Sequence, residues 1–279
     1  MGVTRSMLRR AGFSLLLLLL ALGGTAHAER SETERAARWT ELQHAIFGDR
    51  VVEDAGDRVA IDAPARAEDA AIVPVAIQVA DALAPQVREL YLVIDDNPSP
   101  LAAHFVLGPL ADPREIATRV RIDDYTYLHA IAEAADGRLY GTARFIKASG
   151  GCSAPAAKDQ ALARERLGKM KLTFGERTNH DSPVIAKLLI SHPNNSGLQK
   201  DQVTQYFIPA DFMQTLKVTY NGQPVFQLDS DIAISEDPSF DFRFHPPPSA
   251  NPGEIKVEVL DSSQRQFIGT WPVAPAPQM

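Results

Sequence analysis

The sequence predicts an all-β protein made of two β-sandwich domains in tandem, behind a short N-terminal helix. Two series of short segments rich in β-branched and aromatic residues carry this prediction, because turn-forming residues separate their members. A stretch of small residues divides the two series. The length of 279 residues suits two domains of roughly 100–130 residues. With 45% hydrophobic and 23% charged residues, the composition is that of a globular protein.

The first 28 residues predict a secretory signal peptide. Three arginines give a basic start, residues 15–22 are an almost pure leucine run, and residues 26–28 are Ala-His-Ala. The apolar run is too short to span a membrane. We therefore expect cleavage after Ala28 and a mature protein in an exported compartment, which the family resemblance below specifies as the periplasm. The Arg9-Arg10 pair leaves export by the general or the twin-arginine route open.

Charge and cysteine content exclude several classes of function. The signal holds three basic and no acidic residues, so the mature chain has 25 basic against 35 acidic residues, a net charge of −10. This balance argues against nucleic acid and anionic membranes as partners. One cysteine makes neither an internal disulfide nor a cysteine-ligated zinc or iron–sulfur site.

The N-terminal part of the mature chain predicts one helix and the first strand series. Residues 29–50 contain an amphipathic helix, in which Ser31 and Glu34 form a capping box. Residues 51–147 hold seven predicted strands, with Asp136-Gly137 as a hairpin dipeptide between the last two.

The second part begins with a linker. Residues 148–168 are a flexible stretch of small residues followed by a short helix that ends at Gly168. Residues 169–272 hold eight predicted strands, among them Gln205–Ile208, and Asn221-Gly222 is the second hairpin dipeptide. Residues 273–279 are a tail rich in proline and alanine.

Common enzyme signatures are absent from the sequence. It lacks the Gly-rich phosphate loop, the His-Glu-x-x-His zinc motif and the Gly-x-Ser-x-Gly nucleophile motif, and its histidines are scattered. The pairs Asp95-Asp96 and Asp123-Asp124 follow strands and are expected to cap turns. We predict no catalytic residues, no metal site and no cofactor. His192 and Asp201 lie in a loop where facing the linker and shaping a turn are both open.

Cys152 is the residue that predicts a function. Gly150 and Gly151 precede it, and Ser-Ala-Pro follows, so no bulky side chain is available nearby to bury the thiol. We predict an exposed thiol on a flexible arm formed by Gly150 and Gly151, with Cys152 as a covalent attachment site. A lone cysteine is by default a buried and inert small residue, which is the competing interpretation.

The two halves resemble SoxY and SoxZ, the sulfur-carrying subunit and its non-catalytic partner in thiosulfate oxidation. The SoxY-like motifs are Ile72-Val73-Pro74-Val75, Asp96-Asn97-Pro98-Ser99-Pro100, Thr118-Arg119-Val120-Arg121-Ile122 and Gly150-Gly151-Cys152. The SoxZ-like motifs are Ile190-Ser191-His192-Pro193, Ser196-Gly197-Leu198-Gln199-Lys200-Asp201, Ile208-Pro209-Ala210-Asp211-Phe212 and Ile234-Ser235-Glu236-Asp237-Pro238.

The resemblance implies two immunoglobulin-like sandwiches and a carrier that is not an enzyme. It implies that Cys152 holds sulfur intermediates for periplasmic redox enzymes such as cytochromes and sulfur-oxidising enzymes. In the family the two subunits are separate chains and the arm is a free C-terminus, whereas here the arm continues into the second half. The fusion is similar to SoxYZ-like carriers associated with quinoprotein dehydrogenases.

Three hypotheses follow for the function. The first is a carrier that holds a sulfur-containing or other electrophilic intermediate on Cys152, in a pathway like thiosulfate oxidation or that of a dehydrogenase containing pyrroloquinoline quinone (PQQ). The second is a non-covalent accessory or assembly protein for such a dehydrogenase. The third is a cysteine-dependent hydrolase, which needs a rigid site with a base within hydrogen-bond reach of the thiol.

Overall fold

The N-terminal helix α1 (Glu32–Phe47) begins as the sequence predicts. Ser31 is its N-cap, and the Ser31 hydroxyl and the Glu34 carboxylate complete a capping box with each other's backbone N–H groups. Leu42 and Phe47 are buried against strand residues of the first half, and the Trp39 ring stacks on His129 at 3.6 Å. The helix thus covers one face of the sheet behind it.

The computed structural model describes residues 30–155, 160–177, 179, 182–247 and 252–274. The predicted signal peptide, part of the linker and the end of the tail lie outside these residues. Ser31 onward belongs to one compact unit. Within the described part of the chain, no helix is long and apolar enough to span a membrane.

The described residues form fifteen strands and a second short helix. The first half holds β1 (Val52–Asp54), β2 (Val59–Asp62), β3 (Val73–Val79), β4 (Val87–Ile94), β5 (Leu101–Leu107), β6 (Ala111–Val120), β7 (Thr126–Ala134) and β8 (Leu139–Ile146). The second half holds α2 (Gln160–Arg166), β9 (Met170–Phe174), β10 (Val184–Ile190), β11 (Met213–Tyr220), β12 (Gln223–Ser230), β13 (Ser239–Phe244), β14 (Gly253–Asp261) and β15 (Gln266–Val273).

The two hairpin dipeptides differ in their geometry. Asn221 and Gly222 both have positive φ, at 48° and 79°, which fits the type I′ turn that joins β11 to β12. At the other hairpin Gly137 has a φ of 82°, while Asp136 is not among the positive-φ residues. This loop is one residue longer, because Ala134 N–H bonds to the Arg138 carbonyl and the type I′ turn suggested by Asp136-Gly137 does not form.

The all-β fold class is confirmed, and the two halves share their sheets. Among the described strands, one sheet runs β1-β8-β7-β4-β5-β12-β11-β14-β15 and the other runs β2-β3-β6-β13-β10-β9. Antiparallel pairing of β5 with β12 and of β6 with β13 joins the first half to the second in both sheets. One core cluster therefore runs through both halves.

The predicted strand at Gln205–Ile208 is wrong. Apart from an isolated bridge between Lys200 and Phe207, this segment is a loop, and Gln205 has a φ of +61°. The Phe207 side chain is exposed. Among the described residues, no strand pairs with residues 205–208 along their length. The segment therefore does not form a strand, although its aromatic and β-branched residues favour one.

Candidate functional site

The segment that carries Cys152 leaves β8 and lies along the residues that follow β6. Gly150 N–H donates to the Asp123 carbonyl at 2.7 Å, and Gly151 N–H donates to the Ile122 carbonyl at 2.9 Å. This pairing brings Cys152 beside Arg121. A Cβ at Gly151 would collide with backbone oxygens of Ala70 and Ile122, so only glycine allows this close approach.

The second half holds the same segment from the other side. The Ser196 hydroxyl donates to the Cys152 carbonyl, and the Gln199 amide donates to the Ala154 carbonyl at 2.9 Å. Gln199 also accepts a hydrogen bond from Ser196 N–H at 3.1 Å, which links the two contacts. We call residues 148–155 the arm, and Ser196 with Gln199 the latch.

The thiol of Cys152 is buried, with 0% of the residue exposed, which corrects the expectation of an exposed thiol. Burial raises the pKa of the Cys152 thiol to about 12; the nearby Asp123 charge raises it further and Arg121 opposes the rise. Gly150 and Gly151, expected to be a freely flexible arm, each hold a backbone hydrogen bond. The groups that bury the thiol come from segments distant in the sequence, so the small residues beside Cys152 did not indicate its burial.

Arg121 lies beside the thiol and was not singled out from the sequence. It is 1% exposed, and its Nη1 donates to the Ile234 carbonyl at 2.7 Å. Burial lowers the pKa of Arg121, while charge interactions with Cys152, Glu236 and Asp69 oppose that change. The alternation Thr-Arg-Val-Arg-Ile at 118–122 gives no signal of this burial, because in a strand it places both arginines on the face opposite the apolar side chains.

Asn97 fixes the backbone on which Arg121 and Asp123 stand. Its side-chain amide donates to the Arg121 carbonyl at 2.8 Å and its side-chain oxygen accepts from Asp123 N–H at 2.9 Å. Asp123, which was expected only to cap a turn, also contributes its charge to the environment of Cys152. Asp95 accepts a hydrogen bond from His129 at 3.1 Å.

The hydrolase hypothesis receives no support from the residues described around Cys152. A catalytic cysteine needs a lowered thiol pKa and a base within hydrogen-bond reach. Here the pKa of the thiol is raised, and the charged groups that influence it are Asp123 and Arg121 rather than a histidine.

His192, Asp211 and Asp261 bring ligand-type atoms within 4.8 Å of one another. Arg265 bonds to both carboxylates, and Asn194 N–H donates to His192 Nδ1 at 3.1 Å, so Nε2 carries the proton that faces Asp261. This group is a paired structural network, as its arginine supplies the positive charge that a cation would bring. Asp201 accepts from the N–H groups of Val203 and Thr204 and shapes a turn.

The fold and the site define a β-sandwich protein with a single thiol held between two halves that share their sheets. Residues 43–152 match the family model of the sulfur oxidation protein SoxY, and residues 172–272 match that of the sulphur oxidation protein SoxZ. The chain therefore contains a SoxY domain and a SoxZ domain in tandem. The SoxY match ends at Cys152 itself.

Solved structures with detectable similarity cover parts of the chain. The sulfur carrier protein SoxY from Chlorobium limicola f thiosulfatophilum is 27% identical, with 41% of this chain and 94% of that chain covered and a TM-score of 0.35. A protein described as membrane anchored, from Corynebacterium diphtheriae, is 11% identical over 80% of this chain and 60% of that one, with a TM-score of 0.24. No curated protein matches the sequence.

Proposed function

We propose that the protein is a periplasmic covalent carrier, which holds a sulfur-containing intermediate on Cys152 and presents it to redox enzymes. The observation that carries the proposal is the place of the thiol. The only cysteine of the chain ends the SoxY domain, on a segment that both domains contact.

The closed arm is a resting state in this account. With its pKa raised to about 12, the Cys152 thiol stays protonated at neutral pH and is a poor nucleophile. Release of the arm into water returns the pKa toward its ordinary value of about 9, so the reactive thiolate forms only after opening. Burial of the thiol between transfers protects it from oxidation in an oxidising compartment.

Few hydrogen bonds hold the arm among the described residues. They are two backbone bonds, at Gly150 and Gly151, and two side-chain bonds, from Ser196 and Gln199. At roughly 1 kcal/mol each, these bonds cost a few kcal/mol, and exposure of the buried Cys152 side chain adds to that cost. Local openings in native proteins span this range of free energy. The arm continues into the SoxZ domain, so it is presented as a loop rather than as a free end.

Loading is a two-electron step at sulfur. The Cys152 thiolate attacks an electrophilic sulfur, a new S–S bond forms, and the leaving group departs with the electron pair of the bond that breaks. Where the donor is a sulfur anion without a leaving group, a partner cytochrome or quinoprotein dehydrogenase is the oxidant that takes the two electrons. These redox enzymes are the proposed partners.

A matched pair of chromosomal variants tests the carrier. We expect Cys152→Ser to abolish the sulfur-dependent phenotype as completely as deletion of the gene, whereas Ser153→Ala, an exposed neighbour on the same arm, leaves it intact. Both variants should be present at wild-type levels, because serine has almost the shape of the buried Cys152 side chain and Ser153 is exposed. A Cys152→Ser strain that behaves like wild type contradicts the carrier.

Burial of the thiol favours one alternative, a non-covalent accessory or assembly protein for a PQQ-dependent dehydrogenase. In that function Cys152 is packing rather than chemistry, as its 0% exposure suggests. The accessory function predicts that Cys152→Ser supports full dehydrogenase assembly while deletion of the gene does not. The two hypotheses therefore give opposite results in the same pair of strains.

A further inference from the structure

Arg121 carries a buried positive charge without an ion-pair partner among the described residues. Its Nη1 bonds to the Ile234 carbonyl, its Nε has no hydrogen-bond partner, and the residue is 1% exposed. Burial of a charge that is neither paired nor fully hydrogen-bonded is costly. A guanidinium in this condition is expected to be matched by an anion in some functional state.

The backbone pairing of the arm makes Cys152 the position from which such an anion can reach Arg121. Gly150 bonds to Asp123 and Gly151 bonds to Ile122, so the next residue of the arm lies alongside Arg121. The charge interaction with Cys152 is also the largest of those that raise the pKa of Arg121. Glu236 and Asp69 also raise the pKa of Arg121 through their charges, each by less than Cys152 does.

The free thiol does not neutralise Arg121 at neutral pH, because its pKa is about 12. A sulfur group that ends in a sulfonate is anionic at every physiological pH, and its oxygens accept hydrogen bonds from guanidinium N–H groups. The Asp123 charge disfavours negative charge on the Cys152 sulfur itself, whereas a sulfonate carried beyond that sulfur would supply the missing acceptor for Arg121 Nε. A neutral group on the same sulfur would leave Arg121 unpaired.

We propose that Arg121 is a buried counter-charge that retains an anionic sulfur adduct on Cys152 when the arm is closed. Resting on the proposed carrier function, this assigns the site a preference for anionic over neutral cargo and makes Arg121 its positioning residue.

Chemical loading of the purified full-length mature protein tests the inference without the cellular pathway. Tetrathionate reacts with the Cys152 thiolate, so that an S-thiosulfonate forms on the protein and thiosulfate leaves with the electron pair of the broken S–S bond. Methyl methanethiosulfonate places a neutral methylthio group on the same sulfur and releases methanesulfinate. Both adducts are formed in mild denaturant, which is then removed, and are verified by intact mass.

The measurement is the rate at which dithiothreitol releases each adduct. We expect Arg121→Met to release the thiosulfonate about tenfold faster than wild type, the size of a charge-assisted hydrogen bond, and to change release of the methylthio group less than about twofold. For each adduct, the release rate of the variant is divided by that of the wild-type protein. This ratio removes the difference in intrinsic reactivity between the two adducts. Arg121→Lys keeps the positive charge but loses the planar arrangement of guanidinium N–H donors. It should raise the release rate of the thiosulfonate by less than Arg121→Met does, and it should leave the release rate of the methylthio group unchanged.

Arg119→Met is the matched control. Arg119 lies two residues earlier, and its Nη2 bonds to the Asp237 carbonyl, but it is not among the groups that influence Cys152. It should leave both release rates unchanged. Equal acceleration of both adducts by Arg121→Met, or by Arg121→Lys if the methionine variant does not fold, would show that the arm is merely loosened and would overturn the inference. No acceleration of either adduct would overturn it as well.

The outcome is independent of the proposed function, because the adducts are made chemically. Selective retention of the thiosulfonate, together with a Cys152→Ser strain that behaves like wild type, would support the anion site and reject the carrier. Unselective release together with loss of the phenotype would support the carrier and reject the anion site.

Discussion

The Ser196 hydroxyl of the SoxZ domain donates a hydrogen bond to the backbone carbonyl of Cys152 in the SoxY domain. Cys152 is thus held in place by the domain that contains no cysteine. Because Gln199 repeats the contact at Ala154, the latch couples the position of the arm to the loop that contains both latch residues.

Removal of the latch should raise the exposure of the thiol. We expect Ser196→Ala to increase the alkylation rate of Cys152 roughly fivefold, because the loss of one hydrogen bond shifts the opening equilibrium by about 1 kcal/mol. Ser230→Ala is the control, since its hydroxyl makes a similar bond to the Met213 carbonyl, away from the arm. Equal rates for the two variants would show that the latch does not restrain the arm.

The pH dependence of alkylation should report the buried thiol. Burial raises the pKa of Cys152 from 9.0 to about 12, so the thiolate of the folded protein appears only at higher pH. We expect the rate constant with N-ethylmaleimide or iodoacetamide to rise with a midpoint near pH 9 in the urea-unfolded chain, and to keep rising well beyond that midpoint in the folded protein. Folded and unfolded profiles with the same midpoint would mean that the thiol is not buried in solution.

The two glycines of the arm should respond differently to substitution. Gly151→Ala places a Cβ against the backbone oxygens of Ala70 and Ile122, so the arm must leave its groove and the thiol must become reactive. Gly150 has a φ of +76° but open space around it, so Gly150→Ala costs only about 1 kcal/mol of backbone strain. Thiol titration of both folded variants checks this, and a Gly151→Ala thiol as slow as that of wild type would refute the close approach.

The shared sheets predict a single unfolding transition for both domains. Phe226 of β12 is buried and contacts the Phe105 ring of β5 across the domain boundary, with ring centroids 5.9 Å apart. Phe226→Ala should lower the free energy of unfolding by about 3–5 kcal/mol and shift one cooperative calorimetric transition. Phe207→Ala, at an exposed ring, should have almost no effect. Two separated transitions in the wild-type protein would contradict the joined core.

The local elements were predictable from the sequence because their signals are local. The capping box of Ser31 and Glu34 and the turn at Asn221-Gly222 depend on residues within a few positions of each other. The pairing of β5 with β12 joins residues more than a hundred positions apart, and no local pattern specifies it. The same limit explains why burial of the thiol was not predicted. Gly150 and Gly151 indicated an arm from the local sequence. The position of that arm depends on Arg121, Ser196 and Gln199, which are distant in the sequence.

The measurement that tests the carrier most directly is the intact mass of the protein drawn from the periplasm into acid, with and without reductant. We expect a reducible mass increase on the wild-type mature chain, mapped to the peptide that contains Cys152, and none on Cys152→Ser. A wild-type chain recovered only with a free thiol, from cells that are actively oxidising their substrate, would contradict the account.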